Sequence, residues 1–244
     1  TVDIQLQVLE PTAAITLHAR TLTISSAVVN EEKITKQTQD KEKETTTFHL
    51  AKPLQKGSTR LSLAFQGKLG EDLRGFYQST YALPDGTKKR LATTQFEPTD
   101  ARKCFPCFDE PAQKSTFSIT LNIPKNLIGI SNMAVERETV RGDRKRVTFQ
   151  KTPVMSTYLL AFLIGEFESI SKKTKAGTTV SIWTTPGKKQ LGSFALDVGI
   201  RCLDFYNDYF GIPYPLPKLD MIAIPDFESG AMENWGAVTY RETA

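Results

Sequence analysis

The sequence predicts a mainly β chain: an antiparallel β-sandwich domain over residues 1–169, followed over 170–244 by the β-rich opening of an α/β unit with one long helix. Three observations predict it. Apolar and polar residues alternate with period two through the first two-thirds, short turn signals separate the alternating runs, and the spacing then changes to threes and fours.

Taken in order, Ile15-Thr-Leu17, Leu61-Ser-Leu63-Ala-Phe65 and Phe117-Ser-Ile119-Thr-Leu121-Asn-Ile123 each read as half-buried strands. Pro84-Asp85-Gly86 joins two runs as a hairpin turn, and Arg141-Gly142-Asp143 joins 135–140 to 146–149. The polar stretch 30–47 reads as a solvated hairpin or a mobile loop. Beyond Val180-Ser-Ile182-Trp183, another strand, apolar residues recur at Leu191, Phe194, Val198, Cys202, Phe205 and Tyr209. These mark one face of an amphipathic helix over 190–210, stopped by Gly211 and Pro213. A strand at 219–224, a loop at 225–234 and a strand at 235–240 follow. This second unit has too few elements to close a core, so it reads as the beginning of a longer one.

Composition excludes several classes. Of 244 residues 39% are apolar and 24% charged, with 15 Gly and 13 Pro, which fits neither a disordered, a collagenous nor a coiled-coil chain. The longest apolar run, 158–164, falls well short of the roughly 18 residues a membrane span needs, so no span is expected. Neither a signal nor a transit peptide is read in Thr1-Val-Asp-Ile-Gln-Leu6. Three cysteines and the lack of an Asn-x-Ser/Thr sequon point to a reducing compartment, and a cytoplasmic location is expected. The net charge is +4, and the basic clusters at 88–90, 144–146, 172–175 and 188–189 lie beside turn residues. They read as solvated turns, and no nucleic-acid partner is expected.

Metal and nucleophile chemistry finds little support. The two histidines, His18 and His49, sit in strand-like runs without ligand spacing, and Cys104-Phe-Pro-Cys107 lacks a second ligand pair. The cysteine pair reads as structural, with a redox role as the minor alternative. Two carboxylate-bearing loops carry more. One runs from Thr94 through Gln95, Glu97 and Asp100 to Glu110; the other is Pro225-Asp-Phe-Glu-Ser-Gly230-Ala231-Met232-Glu233-Asn234-Trp-Gly236. Gly230 and Ala231 leave room for a second chain to lie along the backbone as an added strand. Glu233 at the end of that track suits an ammonium group, and a peptide's natural ammonium is its own N-terminus. Glu97 and Gln95 are expected to complete the cage.

Gly230-Ala231-Met232-Glu233-Asn234 resembles the exopeptidase signature of the gluzincin zinc aminopeptidases, the family of aminopeptidase N and the puromycin-sensitive aminopeptidases. The stretches 209–220, 235–242 and 94–111 are similar to the puromycin-sensitive branch. The resemblance covers nearly the whole chain and implies an N-terminal part of such an enzyme, with 170–244 opening a thermolysin-like catalytic domain. It implies that Glu233 binds the free α-amine of a peptide substrate, that Glu97 is a second acidic partner, and that Gln95 lines the first side-chain pocket. Gly230 and Ala231 would run antiparallel to the substrate, Met232 would contact its first side chain, and Asn234 would hold the loop.

The family's zinc is bound through H-E-x-x-H and a further Glu, and this sequence has no such motif. The resemblance therefore implies zinc in the complete enzyme on ligands past Ala244, a partnership with the remainder of the catalytic domain, and no catalytic residue in this chain. On its own the chain is expected to neither bind catalytic zinc nor hydrolyse peptides. The rival reading is a non-catalytic β-sandwich binding or assembly module that recognises peptide N-termini. An H-E-x-x-H soon after position 244 in the gene separates the two.

Overall fold

In a computed structural model, which describes residues 1–243, the chain folds as four antiparallel sheets followed by one mixed sheet. The first pair forms a sandwich. Val2–Val8, Gly57–Gly67, Leu22–Val29 and Glu32–Lys33 make one layer, and Thr12–His18, Thr45–Leu54 and Lys36–Asp40 make the other. Period-two alternation sends Ile15, Leu17, Ile24, Phe48, Leu61 and Leu63 into one core between the layers. The polar stretch 30–47 is a solvated hairpin: its strand Lys36–Asp40 is exposed throughout and pairs with Thr45–Leu54.

A second pair follows. Ile128–Ser131, Phe162–Gly165, Lys88–Gln95 and Gly75–Ala82 form a four-stranded sheet, and Thr120–Pro124, Arg144–Phe149 and Val135–Arg141 a three-stranded one. Leu121, Ile123, Val147 and Phe149 pack beneath the latter. Its first strand begins at Thr120, later than the expected start at Phe117. Phe117 instead exchanges hydrogen bonds with Thr152, donating N–H to Oγ1 at 2.9 Å and accepting from the Thr152 N–H at 2.9 Å.

The mixed sheet runs Glu168–Lys173, Thr179–Thr184, Lys218–Ile224, Ala237–Arg241 and Ala231–Met232 in spatial order. Thr179–Thr184, Lys218–Ile224 and Ala237–Arg241 are parallel to one another. The 18-residue helix α1, Ser193–Phe210, makes the first crossover and ends at Gly211.

That helix is placed differently from its sequence pattern. The stripe expected to be its core face points away from the sheet: Phe194 is 77% and Tyr209 70% exposed, and Leu191, Cys202 and Phe205 are exposed with them. The opposite side carries the packing, because small residues let the backbone come close. A Cβ at Gly199 would stand 2.8 Å from Met221 Sδ, and one at Gly192 2.7 Å from Ile182 Cγ2. Phe205, Tyr206, Tyr209 and Phe210 stack on one another on the outer face, with ring centroids 5.0–5.8 Å apart.

The mixed sheet and the second sheet pair do not have separate interiors. Tyr81, Leu91, Phe96 and Leu163 share one buried cluster with Ile222, Ile224, Phe227, Met232 and Ala237. This common core holds the two carboxylate-bearing loops on one body.

Candidate functional site

Most acidic residues in the two loops are already engaged by the fold. In the first, Asp109 is buried and its Oδ2 accepts from Arg102 Nε at 2.9 Å and from the Arg102 N–H at 3.2 Å. Arg102 also reaches Glu44 at 3.2 Å, and Asp100 pairs with Lys103 at 3.0 Å. In the second, Asp226 Oδ2 accepts from the Thr80 N–H at 2.6 Å and from Ser79 Oγ at 3.2 Å. Glu228 takes the guanidinium fork of Arg74 at 3.0 and 3.2 Å. Among the described residues, the acids in these loops whose carboxylates have neither an ion-pair nor a hydrogen-bond partner are Glu97, Glu110 and Glu233, all exposed.

Loop 225–236 is fastened to the hairpin that ends in Gln95. Besides the bonds to Asp226, Tyr77 donates its hydroxyl to the Asp226 carbonyl at 2.9 Å, and the Asp226 N–H donates to Ser79 Oγ at 2.9 Å. Burial pushes the Tyr77 hydroxyl well above the ordinary phenol range, so it stays a donor. Tyr77 lies on Gly75–Ala82, whose partner strand Lys88–Gln95 pairs Gly75 with Gln95. Gln95 is 8% exposed, and its Oε1 is buried with no hydrogen-bond partner among the described residues. A buried acceptor left open in this way costs free energy unless a ligand or water fills it, and eight other buried side-chain atoms among the described residues share that state, Thr93 Oγ1 and Trp183 Nε1 among them.

Glu233 stands at the end of a short edge strand. Ala231–Met232 pairs with Thr239 and Tyr240 on one side, and as the last strand of its sheet it has no partner strand on the other among the described residues. The extended backbone exposes Ala231, Glu233 and Trp235 and buries Met232 and Asn234. Met232 sits wholly inside the common core. Asn234 Nδ2 donates to the Ala237 carbonyl at 3.3 Å and lies 3.4 Å from Thr239 Oγ1. Nothing lies within 4 Å of a Cβ built at Gly230, so the space beside it is open. Phe96 and Met232, the immediate neighbours of Glu97 and Glu233, belong to the same core, while both carboxylates stay in solvent.

The far end of the loop is locked by groups that sequence reasoning did not single out. Asn132 Nδ2 donates to the Trp235 carbonyl at 2.9 Å and to the Leu159 carbonyl at 2.8 Å, while its Oδ1 accepts from the Ala161 N–H at 2.8 Å. Lys218 Nζ donates to the Gly236 carbonyl at 2.6 Å, the Ser131 carbonyl at 2.8 Å and Asp220 Oδ2 at 2.6 Å. Three protons meet three acceptors, so a buried ammonium is fully satisfied. Burial pushes its pKa down, and Asp220 opposes that. The one available sequence signal was a lysine two residues before an aspartate at a strand start, a pattern too common to read.

Cys104 and Cys107 are free thiols, and burial pushes Cys104 up to about 12 and Cys107 well above the usual thiol range. Such thiols are poor nucleophiles. With Ellman's reagent at pH 8, the native protein is expected to show fast reaction only at exposed Cys202, the other two reacting on unfolding. Two further fast thiols would restore the redox reading. His18 Nδ1 accepts from the Asp109 N–H at 3.3 Å, and His49 Nε2 lies 2.9 Å from Thr38 Oγ1. No group of three or more His, Cys, Asp or Glu among the described residues is arranged to hold a metal ion, and no helix among them is long and apolar enough to cross a membrane.

Comparison with known proteins covers both units. Residues 1–159 match the peptidase M1 N-terminal domain and residues 194–244 the peptidase family M1 domain. The whole chain is 46% identical over 251 residues to a puromycin-sensitive aminopeptidase of Caenorhabditis elegans, spanning 26% of that protein. It is 46% identical over 255 residues to aminopeptidase M1 of Arabidopsis thaliana, spanning 29% of it. With human endoplasmic reticulum aminopeptidase 1 it shares 44% over 253 residues, again along the whole chain and 27% of the relative. The chain thus spans between a quarter and a third of the length of these relatives.

Proposed function

Because the chain belongs to the peptidase M1 family, we propose that it supplies the part of an aminopeptidase that grips the substrate's free N-terminus. The observation that carries this reading is Glu233: an exposed carboxylate without an ion-pair partner, set at the end of an open sheet edge whose backbone is held on both sides. An extended peptide adds along Gly230 and Ala231 as an antiparallel strand through main-chain hydrogen bonds. Its α-amine, with a pKa near 8 and so largely charged at pH 7, meets Glu233 and Glu97. Gln95, with its unpartnered Oε1, lines the pocket of the first side chain. Asn234 and Lys218 hold the loop in place, and Met232 anchors it in the core.

Holding the amine fixes which peptide bond is presented and removes orientational freedom before reaction, a large part of what positioning contributes to rate. The zinc used by aminopeptidases of this family would polarise the first carbonyl and activate water, on ligands contributed from outside the described residues. The remainder of the M1 domain covers the exposed aromatic face of α1, in keeping with relatives much longer than this chain. Strand Glu168–Lys173 opens the mixed sheet, so we place the division between the units at 166–167, two or three residues before the boundary read from sequence. Three free cysteines favour the cytoplasm over an oxidising compartment.

In the complete gene product, Glu233→Ala is expected to lower kcat/KM for aminoacyl-amide hydrolysis by roughly 10- to 150-fold, the equivalent of about 1.5–3 kcal/mol for a charge-assisted hydrogen bond. A wild-type value would overturn the assignment.

A further inference from the structure

The three-stranded sheet has two faces of opposite character. Leu121, Ile123, Val147 and Phe149 line the inner one. On the outer face, Arg144 and Arg146 alternate along Arg144–Phe149, and register brings Arg141 opposite Arg144 and Thr139 opposite Arg146, with Arg137 beside Thr148. Asn122, on Thr120–Pro124, lies opposite Arg146 from the other side. The face is hollowed, with a volume of about 460 Å³, and no carboxylate or aromatic side chain lines it. The cluster 144–146, read from sequence as a solvated turn, supplies three of the eight residues of this lining.

Arg137, Arg141, Arg144 and Arg146 are exposed, and none has a carboxylate within 4.0 Å among the described residues. The flanking acid Glu138 pairs with Lys145 at 3.2 Å, leaving the guanidiniums to themselves. Arg144 donates to Asn122 Oδ1 at 3.2 Å and to the Asn122 carbonyl, which orients its fork on the sheet. Like charges directly opposite one another on a sheet destabilise it, and four permanent cations around one hollow do so further. Beyond the bonds of Arg144 to Asn122, these guanidiniums form no ion pair with the rest of the fold among the described residues. An anion in the hollow would reverse the sign of that repulsion.

The shape and lining select the kind of anion. A volume of this order matches small-ligand sites, commonly about 300–1,000 Å³. Planar guanidiniums engage phosphate oxygens in pairs, and the Thr139 and Thr148 hydroxyls add further donors. Single-stranded nucleic acid would call for aromatic platforms, which the lining lacks. We propose that the outer face of this sheet, built on Arg137, Arg141, Arg144 and Arg146, binds a compact, multiply phosphorylated small molecule. The site lies apart from the loops that carry Glu97 and Glu233, and it stands whether or not those loops grip a peptide amine.

The test is calorimetric titration of the complete gene product with inositol hexakisphosphate near physiological ionic strength. One site is expected, with affinity weakened about tenfold or more in Arg144→Ala/Arg146→Ala. Lys88→Ala/Arg90→Ala, which removes an exposed basic cluster elsewhere, is expected to leave affinity unchanged. Thermal unfolding of each variant checks that the surface changes leave the fold intact. Equal weakening by both double variants would show charge attraction without a site and overturn the proposal. So would an absence of binding, or tighter binding of a single-stranded oligonucleotide or of anionic phospholipid vesicles through the same arginines.

Discussion

Lys218→Met is expected to lower the free energy of unfolding by about 3–5 kcal/mol, the range for removing one partner from a buried ion pair. The substitution keeps the volume and removes the charge and all three hydrogen-bond donors. Asp220 is then left as a buried carboxylate without its cation, and the carbonyl of Ser131 loses its lysine donor. The carbonyl of Gly236 keeps only the Asp220 N–H, at 3.0 Å. Urea unfolding measures the loss. Lys218→Met/Asp220→Leu is expected to recover part of it, because the orphaned charge goes as well. A loss under about 1 kcal/mol in the single variant would mean that water satisfies this cluster and that the ammonium does not hold the loop.

Gly236→Ala is expected to be comparably damaging for a different reason. Gly236 has φ +72°, and a Cβ there would overlap the backbone oxygen of Asn132 outright. The left-handed conformation alone costs an L-residue about 1–2 kcal/mol, and forcing the overlap apart adds about 1–3 kcal/mol. Asn132 cannot yield cheaply, since its side chain spans three backbone partners on two segments. Gly86→Ala supplies the control: φ is +83°, but nothing lies within 4 Å, so only the conformational part is expected. Similar urea midpoints for the two variants would show that the approach of Asn132 to Gly236 is looser than described.

Period-two alternation located the sandwich strands because one face of each is buried and the other wet, as in Gly57–Gly67. The helix was legible in extent but not in orientation. Its pattern records a large apolar stripe, while the close approach to the sheet is made at Gly192 and Gly199, which weigh little in any hydrophobic count, beside the single buried Ile200. The candidate loops were legible because Gly, Pro and carboxylates cluster there. The two-residue strand Ala231–Met232 was not, being too short for any period to show. Nor were the supports: Asn132 and Lys218 meet the loop only after distant segments come together, with Asn132 reaching Trp235 across 103 positions. Which carboxylates remain available was likewise a question of partners, since Asp226 and Glu228 look no different from Glu233 in the sequence.

The core shared by the second sheet pair and the mixed sheet bears on how such a chain can be inherited. A recombination point near 166 would look harmless in sequence, falling between two strands of different sheets. It would nonetheless divide one buried cluster, leaving Leu91 and Leu163 on one fragment and Ile222, Ile224 and Met232 on the other. Neither fragment could be traded to a new host protein without a replacement surface of matching shape. The two units are therefore expected to travel through descent as a single block, with changes on one side of the shared interior answered by changes on the other.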